Sequence, residues 1–147
     1  MKALVIYDTV QGNTAKIAQA IAAGIGGNTE AVKVGSAGAG ALKGIDILVI
    51  GSPTMGGRPT PGIQAFIDGI PKETIEKAGF AAFDTRLSWK FLKIFKYAGD
   101  RITTVLRERR GRILARPEGF TVKSAKGPLA DGELERAKLW GQKLRAP

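Results

Sequence analysis

The chain opens with the apolar run Ala3-Leu4-Val5-Ile6-Tyr7, breaks into Asp8-Thr9-Val10-Gln11-Gly12-Asn13-Thr14, and continues with apolar positions three and four residues apart. An unbroken apolar run suits a parallel strand covered on both faces, and the three-and-four spacing marks one face of a helix. Together these patterns predict alternating strands and helices. A first helix is predicted over 15–25, with Ile17, Ala18, Ile21, Ala22 and Ile25 on its inner stripe. Further helices are predicted over 61–70, with Ile63, Phe66, Ile67 and Ile70 inward, and over 98–110, with Ala98, Ile102, Val105 and Leu106 inward and Gly111 as the stop. The last helix covers 131–144: Asp131 is its N-cap, Glu133 and Glu135 lie in its first turns, and Leu134, Ala137, Trp140 and Leu144 face inward. Strands after the first are predicted over 30–34, 45–50 and 80–83. A fifth lies between 113 and 122, interrupted by Pro117-Glu118-Gly119. The small-residue stretch 35–44 supports no more than a turn or two.

Strand, short polar loop and helix in that order make a place for an anion. A helix starting near Asn13 has first-turn N–H groups without partners inside the helix, and its dipole adds positive charge there. Gly12 allows close backbone approach, and Thr9 and Thr14 supply hydroxyls. The alternative is a strand-to-helix turn that uses Gly and Thr for geometry alone. The loop has no Lys or Arg, so it lacks the Gly-Lys-Ser/Thr of a nucleoside triphosphate loop. It also lacks the Gly-x-Gly-x-x-Gly of dinucleotide folds; Gly38 and Gly40 are followed by Gly44, which is the wrong spacing. A neutral socket for one phosphate monoester remains.

Val5-Ile6-Tyr7-Asp8-Thr9, then Gly12-x-Thr14, then Ala18 and Ile21, resembles the flavodoxin phosphate-loop signature. The resemblance covers the whole chain. It implies a single domain over 1–147, a doubly wound α/β three-layer sandwich with a five-stranded parallel sheet in the order 2-1-3-4-5. It also implies a flavin mononucleotide (FMN) at the carboxyl ends of strands one, three and four. Carried over residue by residue, Thr9, Val10, Gln11, Gly12, Asn13 and Thr14 would meet the phosphate. Pro53, Thr54, Met55, Gly56 and Gly57 would border the ring on one side, Asp84, Thr85 and Arg86 on another, and Trp89 would be a further contact. The chain departs from the family at Val10 and Gln11, where flavodoxins carry hydroxyl residues, and at Met55, where many carry an aromatic one. Contacts at Val10 and Gln11 then fall to backbone N–H groups or the Gln11 amide. Met55 offers a polarizable but weaker stacking surface.

Composition narrows the classes. The 147 residues contain no Cys and no His, which excludes disulfides, thiol nucleophiles, histidine bases and thiolate or imidazole metal sites. Low-molecular-weight phosphatases and arsenate reductases, which need a cysteine, fall with them. A receiver domain would need an aspartate at the end of strand three, where Gly51-Ser52 stands. The larger flavodoxin-like quinone reductases carry an insertion for which the length leaves little room. No apolar run is long enough for a membrane span or a signal peptide, so a cytoplasmic location is expected.

The net charge is +10, and it is uneven: residues 1–83 hold seven basic and six acidic side chains, residues 84–147 sixteen and seven. One face or edge is therefore strongly basic. No aromatic platform or recognition-helix motif accompanies it, so a solvated basic surface or an acidic protein partner is expected rather than nucleic acid, with redox proteins as the partners of an electron carrier. Arg58 and Arg86, near the expected ring, favour the anionic reduced flavin and predict a less negative reduction potential than in acidic relatives. The alternative for Arg86 is a pair with Asp84 or a place at the surface.

Residues 87–97, Leu-Ser-Trp-Lys-Phe-Leu-Lys-Ile-Phe-Lys-Tyr, interleave aromatics with lysines at every third position. Three placements stay open: packing inward as an extension of the next helix, which is favoured; folding over the flavin; or contact with an anionic membrane surface or a quinone. The expected function is an FMN-binding electron carrier between redox enzymes, with no residue acting as acid, base or nucleophile. Two alternatives remain. One is a quinone-linked enzyme resembling menaquinone-dependent protoporphyrinogen oxidases, whose aromatic and lysine-rich loop follows a later strand. The other is a flavin-less binding module of the same fold.

Overall fold

Three apolar runs become the centre of one sheet because helices cover both of its faces. In the computed structural model, which describes residues 1–38, 40–87 and 97–145, these runs are β1 (Lys2–Tyr7), β3 (Ile47–Pro53) and β4 (Gly79–Leu87). The edges are β2 (Asn28–Lys33) on one side and β5 (Arg112–Ile113) with β6 (Glu118–Val122) on the other. All pairings are parallel, in the order β2-β1-β3-β4-β5, with β6 also against β4. This is the doubly wound fold and strand order expected, with a sixth strand added.

The sixth strand comes from the break anticipated at Pro117. β5 pairs Phe80 with Ile113, whereas β6 pairs Phe83 with Glu118, so two extra residues enter between the two stretches. An even insertion keeps each side chain on its original face. Pro117 cannot donate to a ladder and lies in the insertion. Beyond it, β6 resumes pairing from Phe83 to Leu87 and so extends β4 past the predicted end at Phe83.

Helices α1 (Asn13–Ile25) and α5 (Glu133–Arg145) lie on one face; α2 (Pro61–Asp68), α3 (Lys72–Lys77) and α4 (Ala98–Glu108) lie on the other. The first face buries Val5, Ile17, Ile21, Val49, Phe83, Phe120 and Trp140. Its three aromatics meet edge to face at centroid distances of 6.2 to 6.4 Å. The second face buries Ile6, Leu48, Ile50, Ile63, Phe80, Ile102 and Leu106. α2 begins as its sequence suggests: Thr60 Oγ1 accepts from the Ile63 N–H at 3.3 Å and Pro61 occupies the first turn.

α1 and α5 touch backbone to backbone. A Cβ on Gly24 would lie 2.0 Å from the Lys138 carbonyl oxygen, and one on Gly141 would lie 2.3 Å from that of Ile21. No other residue type fits either place.

Some expectations change. α3 was not expected; the stretch 35–44, expected to support no more than a turn or two, overlaps a short 3₁₀ turn at Val34–Ser36. α5 begins at Glu133, and Asp131 pairs with Lys123 at 3.4 Å instead of capping. Leu134 is 47% exposed rather than inward; Glu133 takes the buried place beside it. Glu133 accepts from the Thr121 N–H at 2.7 Å and from Arg136 Nε at 2.8 Å. Arg136 also bonds Glu118 and lies over the Phe120 ring. The Arg136 hydrogen bonds hold the Glu133 carboxyl below its usual range, against the opposing effect of burial.

Candidate functional site

A cleft of about 230 Å³ opens at the carboxyl ends of β1, β3 and β4. It brings together Val10, Gln11, Asn13, Thr14, Pro53, Thr54, Met55, Thr85 and Arg86, drawn from three separate stretches of chain. Sequence reasoning placed all nine at a common site.

The first wall is the loop between β1 and α1. Thr9 N–H donates to Asp8 Oδ1 at 2.9 Å and Gly12 N–H to Thr9 Oγ1 at 3.0 Å, which curls the loop. The other Asp8 oxygen accepts from the Thr60 hydroxyl at 2.6 Å, so the loop's one charge is held from the α2 side. Gly12, at φ 88°, then turns the chain into α1 through a backbone shape that other residues rarely adopt. Among the described residues, the N–H groups of Val10, Gln11, Asn13, Thr14 and Ala15 find no acceptor in the protein. Asn13 and Thr14 are buried, and Thr14 Oγ1 lies 2.8 Å from Thr85 Oγ1, tying this wall to β4.

The second wall is the end of β3 and the turn after it. Met55 and Arg58 exchange backbone hydrogen bonds at 2.8 and 3.1 Å around Gly56 and Gly57, whose φ values are 59° and 77°. Two successive positive φ values define the mirror-image tight turn that favours glycine. Arg101 on α4 anchors the turn through Nε to the Gly57 carbonyl at 2.6 Å. Thr54 N–H bonds the Thr85 carbonyl at 3.0 Å, and Thr54 Oγ1 accepts from the Ala98 N–H at 3.1 Å. Met55 is half exposed at the rim.

The third wall is strand rather than loop, because β6 pairing carries β4 through Leu87. Asp84 and Arg86 point to the α4 side and Thr85 to the α1 side, as alternation requires. Asp84 has no exposed surface and stands behind the wall, so it does not border the cleft as expected. Its oxygens accept from Arg86 Nε and Nη2, each at 2.7 Å, and from the Gly99 N–H at 2.8 Å. Burial pushes the Asp84 carboxyl up, against the pull of Arg86 and the Gly99 N–H. Donors on both oxygens call for the carboxylate form. For Arg86, burial opposes the charge, and the Asp84 bonds overcome it, so the guanidinium is held above its ordinary value.

Arg58 is not at the cleft. It lines a separate groove of about 180 Å³ between α2 and α4, with Gln64, Ile67, Arg101 and Val105. Trp89 and the aromatic and lysine segment 88–96 lie outside the described residues. Sequence reasoning did not find Leu87, Val122 and Ala125, which complete the cleft. Leu87 was legible from the β4 alternation once the strand was extended; the other two come from the far side of the break, which no motif marks. It also did not find Tyr97, whose ring centroid lies 3.4 Å from Arg86 Cζ. No helix among the described residues is long and apolar enough to cross a membrane.

The fold has many solved counterparts. A flavodoxin from the domain Archaea superposes with a TM-score of 0.81 at 21% identity, covering 99% of this chain and 96% of that one. Oxidised flavodoxin 1 from Bacillus cereus gives 0.77 at 21% identity, covering 98% and 97%. Rubredoxin oxygen:oxidoreductase from Desulfovibrio gigas gives 0.75 at 18% identity, covering 98% of this chain but 35% of that longer one. At such identities these likenesses establish the fold alone. Comparison with curated proteins finds no match. The family model for the flavodoxin domain matches residues 4–88, more than half of the 147, and includes the loop, the turn and the strand that wall the cleft. The chain belongs to the flavodoxin domain family.

Proposed function

We propose that the chain binds FMN in this cleft and carries electrons between redox partners. The observation that carries the reading is the set of N–H groups at Val10, Gln11, Asn13, Thr14 and Ala15, all without an acceptor among the described residues and all at the head of α1. Such a cluster suits a phosphate dianion and needs no cation. With the phosphate there, the ring lies between the Thr54–Gly57 turn and the Thr85–Leu87 strand. The bound flavin supplies the redox chemistry. Val10 and Gln11 act through the backbone, which removes the difficulty of their missing hydroxyls. Thr9 and Gly12 shape the loop, while Asp84 contributes only through Arg86.

No side chain is required to move a proton from substrate. The chain's part is to bind, orient and set the electrostatic surroundings of the ring. Electron carriage fits the family, and an acidic redox protein fits the excess of positive charge.

The test is a fluorescence titration of apoprotein with FMN and with riboflavin, which lacks the phosphate. Tight FMN binding with riboflavin at least tenfold weaker is expected. Equal affinity would remove the phosphate from the loop, and no binding of either would leave a flavin-less module. Thr14→Ala and Gly12→Val should weaken FMN without unfolding the domain, and unchanged affinity in both would overturn the assignment of the loop.

A further inference from the structure

The Arg86 guanidinium is clamped from several directions. Nε and Nη2 are fixed on the buried Asp84 carboxylate at 2.7 Å each, and the Tyr97 ring centroid lies 3.4 Å from Cζ. β6 makes room for it only because residue 119 is glycine: a Cβ there would lie 2.2 Å from Arg86 Cζ. β4, α4, β6 and Tyr97 thus all contribute to holding one cation in one orientation. The pair is also polarised relative to the cleft. Arg86 borders the cleft and keeps 22% of its side chain exposed; Asp84 does neither. Of the two, Arg86 is therefore the member at the cleft, and Asp84 stands behind it.

Resting on the FMN reading above, we propose that Arg86 is the specificity-determining residue for the protonation state of the reduced flavin, with Asp84, Tyr97 and Gly119 as its positioning residues. Reduction by two electrons and one proton leaves the flavin ring with one negative charge; two electrons and two protons leave it neutral. A fixed cation at the wall favours the first product and so binds reduced FMN more tightly than a neutral wall would. Arg58, which lines the other groove, has no part in this.

The experiment is a potentiometric titration of the FMN-loaded protein across about pH 5 to 9, with dithionite supplying the electrons. Where one proton accompanies two electrons, the midpoint falls by about 30 mV per pH unit, and where two do, by about 59 mV. The pH at which the slope changes reports the reduced flavin's own ionisation. In the Asp84→Asn plus Arg86→Gln protein, which leaves no buried charge unpaired, this break is expected about one unit higher. Its preference for reduced over oxidised FMN should fall about tenfold, equivalent to a midpoint about 30 mV more negative. Asp84→Asn alone keeps the guanidinium and removes its counter-charge, so its break should move the opposite way. Removing the Asp84 charge shifts the break by itself, so the deciding comparison is Asp84→Asn against the double variant, where residue 86 alone differs. Arg86→Gln alone, expected to raise the break, takes its place if the double variant does not fold. Breaks that stay together in folded variants that bind FMN would make Arg86 a structural pin and overturn this proposal alone. Failure of the unaltered protein to bind FMN would overturn it together with the reading it rests on.

Discussion

The two sides of the cleft are built on opposite rules. On the β1–α1 side, backbone N–H groups stand without partners among the described residues, and the side chains of the residues that carry them are uncharged. On the β4–α4 side the polar groups are bonded within the protein: Asp84 to Arg86 and Gly99, Thr54 to Ala98 and Thr85. An unsatisfied wall gains its partners from a ligand, whereas a satisfied wall contributes shape and charge. The first should therefore govern affinity and the second stability.

The sharpest way to break that contrast is to remove one member of the buried pair. Arg86→Ala leaves the Asp84 carboxylate without its main partner and is expected to cost about 3–5 kcal/mol in urea denaturation; a loss below about 1 kcal/mol would mean that the pair is solvated as surface pairs are. Next comes Gly119→Ala, whose methyl must displace the guanidinium. It should cost about 1–3 kcal/mol and weaken the Arg86–Tyr97 contact, visible as a change in tyrosine absorbance. On the other wall, Thr14→Ala should cost only about 1 kcal/mol through the lost Thr85 bond, yet weaken FMN by tenfold or more. A stability loss matching that of Arg86→Ala would erase the distinction between the walls.

The smallest effect should lie beyond the cleft, at Glu133. Its folded carboxyl is lowered, so its contribution is complete above the ordinary value of 4.5 and is lost as pH falls through the lowered folded value. Glu133→Gln should cost about 1 kcal/mol at neutral pH, discounted because Arg136 is partly exposed. The deficit relative to the unaltered protein should vanish in acid. A pH-independent deficit would assign the loss to packing.

The first wall was legible in the sequence; of the second, Thr54, Thr85 and Arg86 were legible as residues but their clamp was not, for a physical reason. A phosphate loop is local: Thr9, Gly12 and Thr14 lie within one turn of chain, and the turn's chemistry fixes their relation. The central strands were legible too, because Leu48-Val49-Ile50 is apolar on both faces. The clamp on Arg86 depends instead on a two-residue slip between β5 and β6, which sets Gly119 beside Asp84 and under the Arg86 guanidinium and cannot be read from spacing. α3 was missed because Lys72-Glu73-Thr74-Ile75-Glu76-Lys77 has a single buried apolar position, too few to show a period. Leu134 was misplaced because its helix turns Ala137, Trp140 and Leu144 to the core, while the neighbouring Glu133 serves β6.

The glycine crossing of α1 and α5 bears on the order in which the protein can acquire a ligand. α1 carries the open N–H groups at its head, and its far end rests on Lys138 and Gly141, which come far later in the sequence. During synthesis from the amino terminus, the loop and α1 emerge early but have no second helix to lie against until α5 has left the ribosome. Flavin capture would then wait for α5, and a chain shortened before Gly141 would keep the phosphate-loop sequence while losing the support that holds its helix in place.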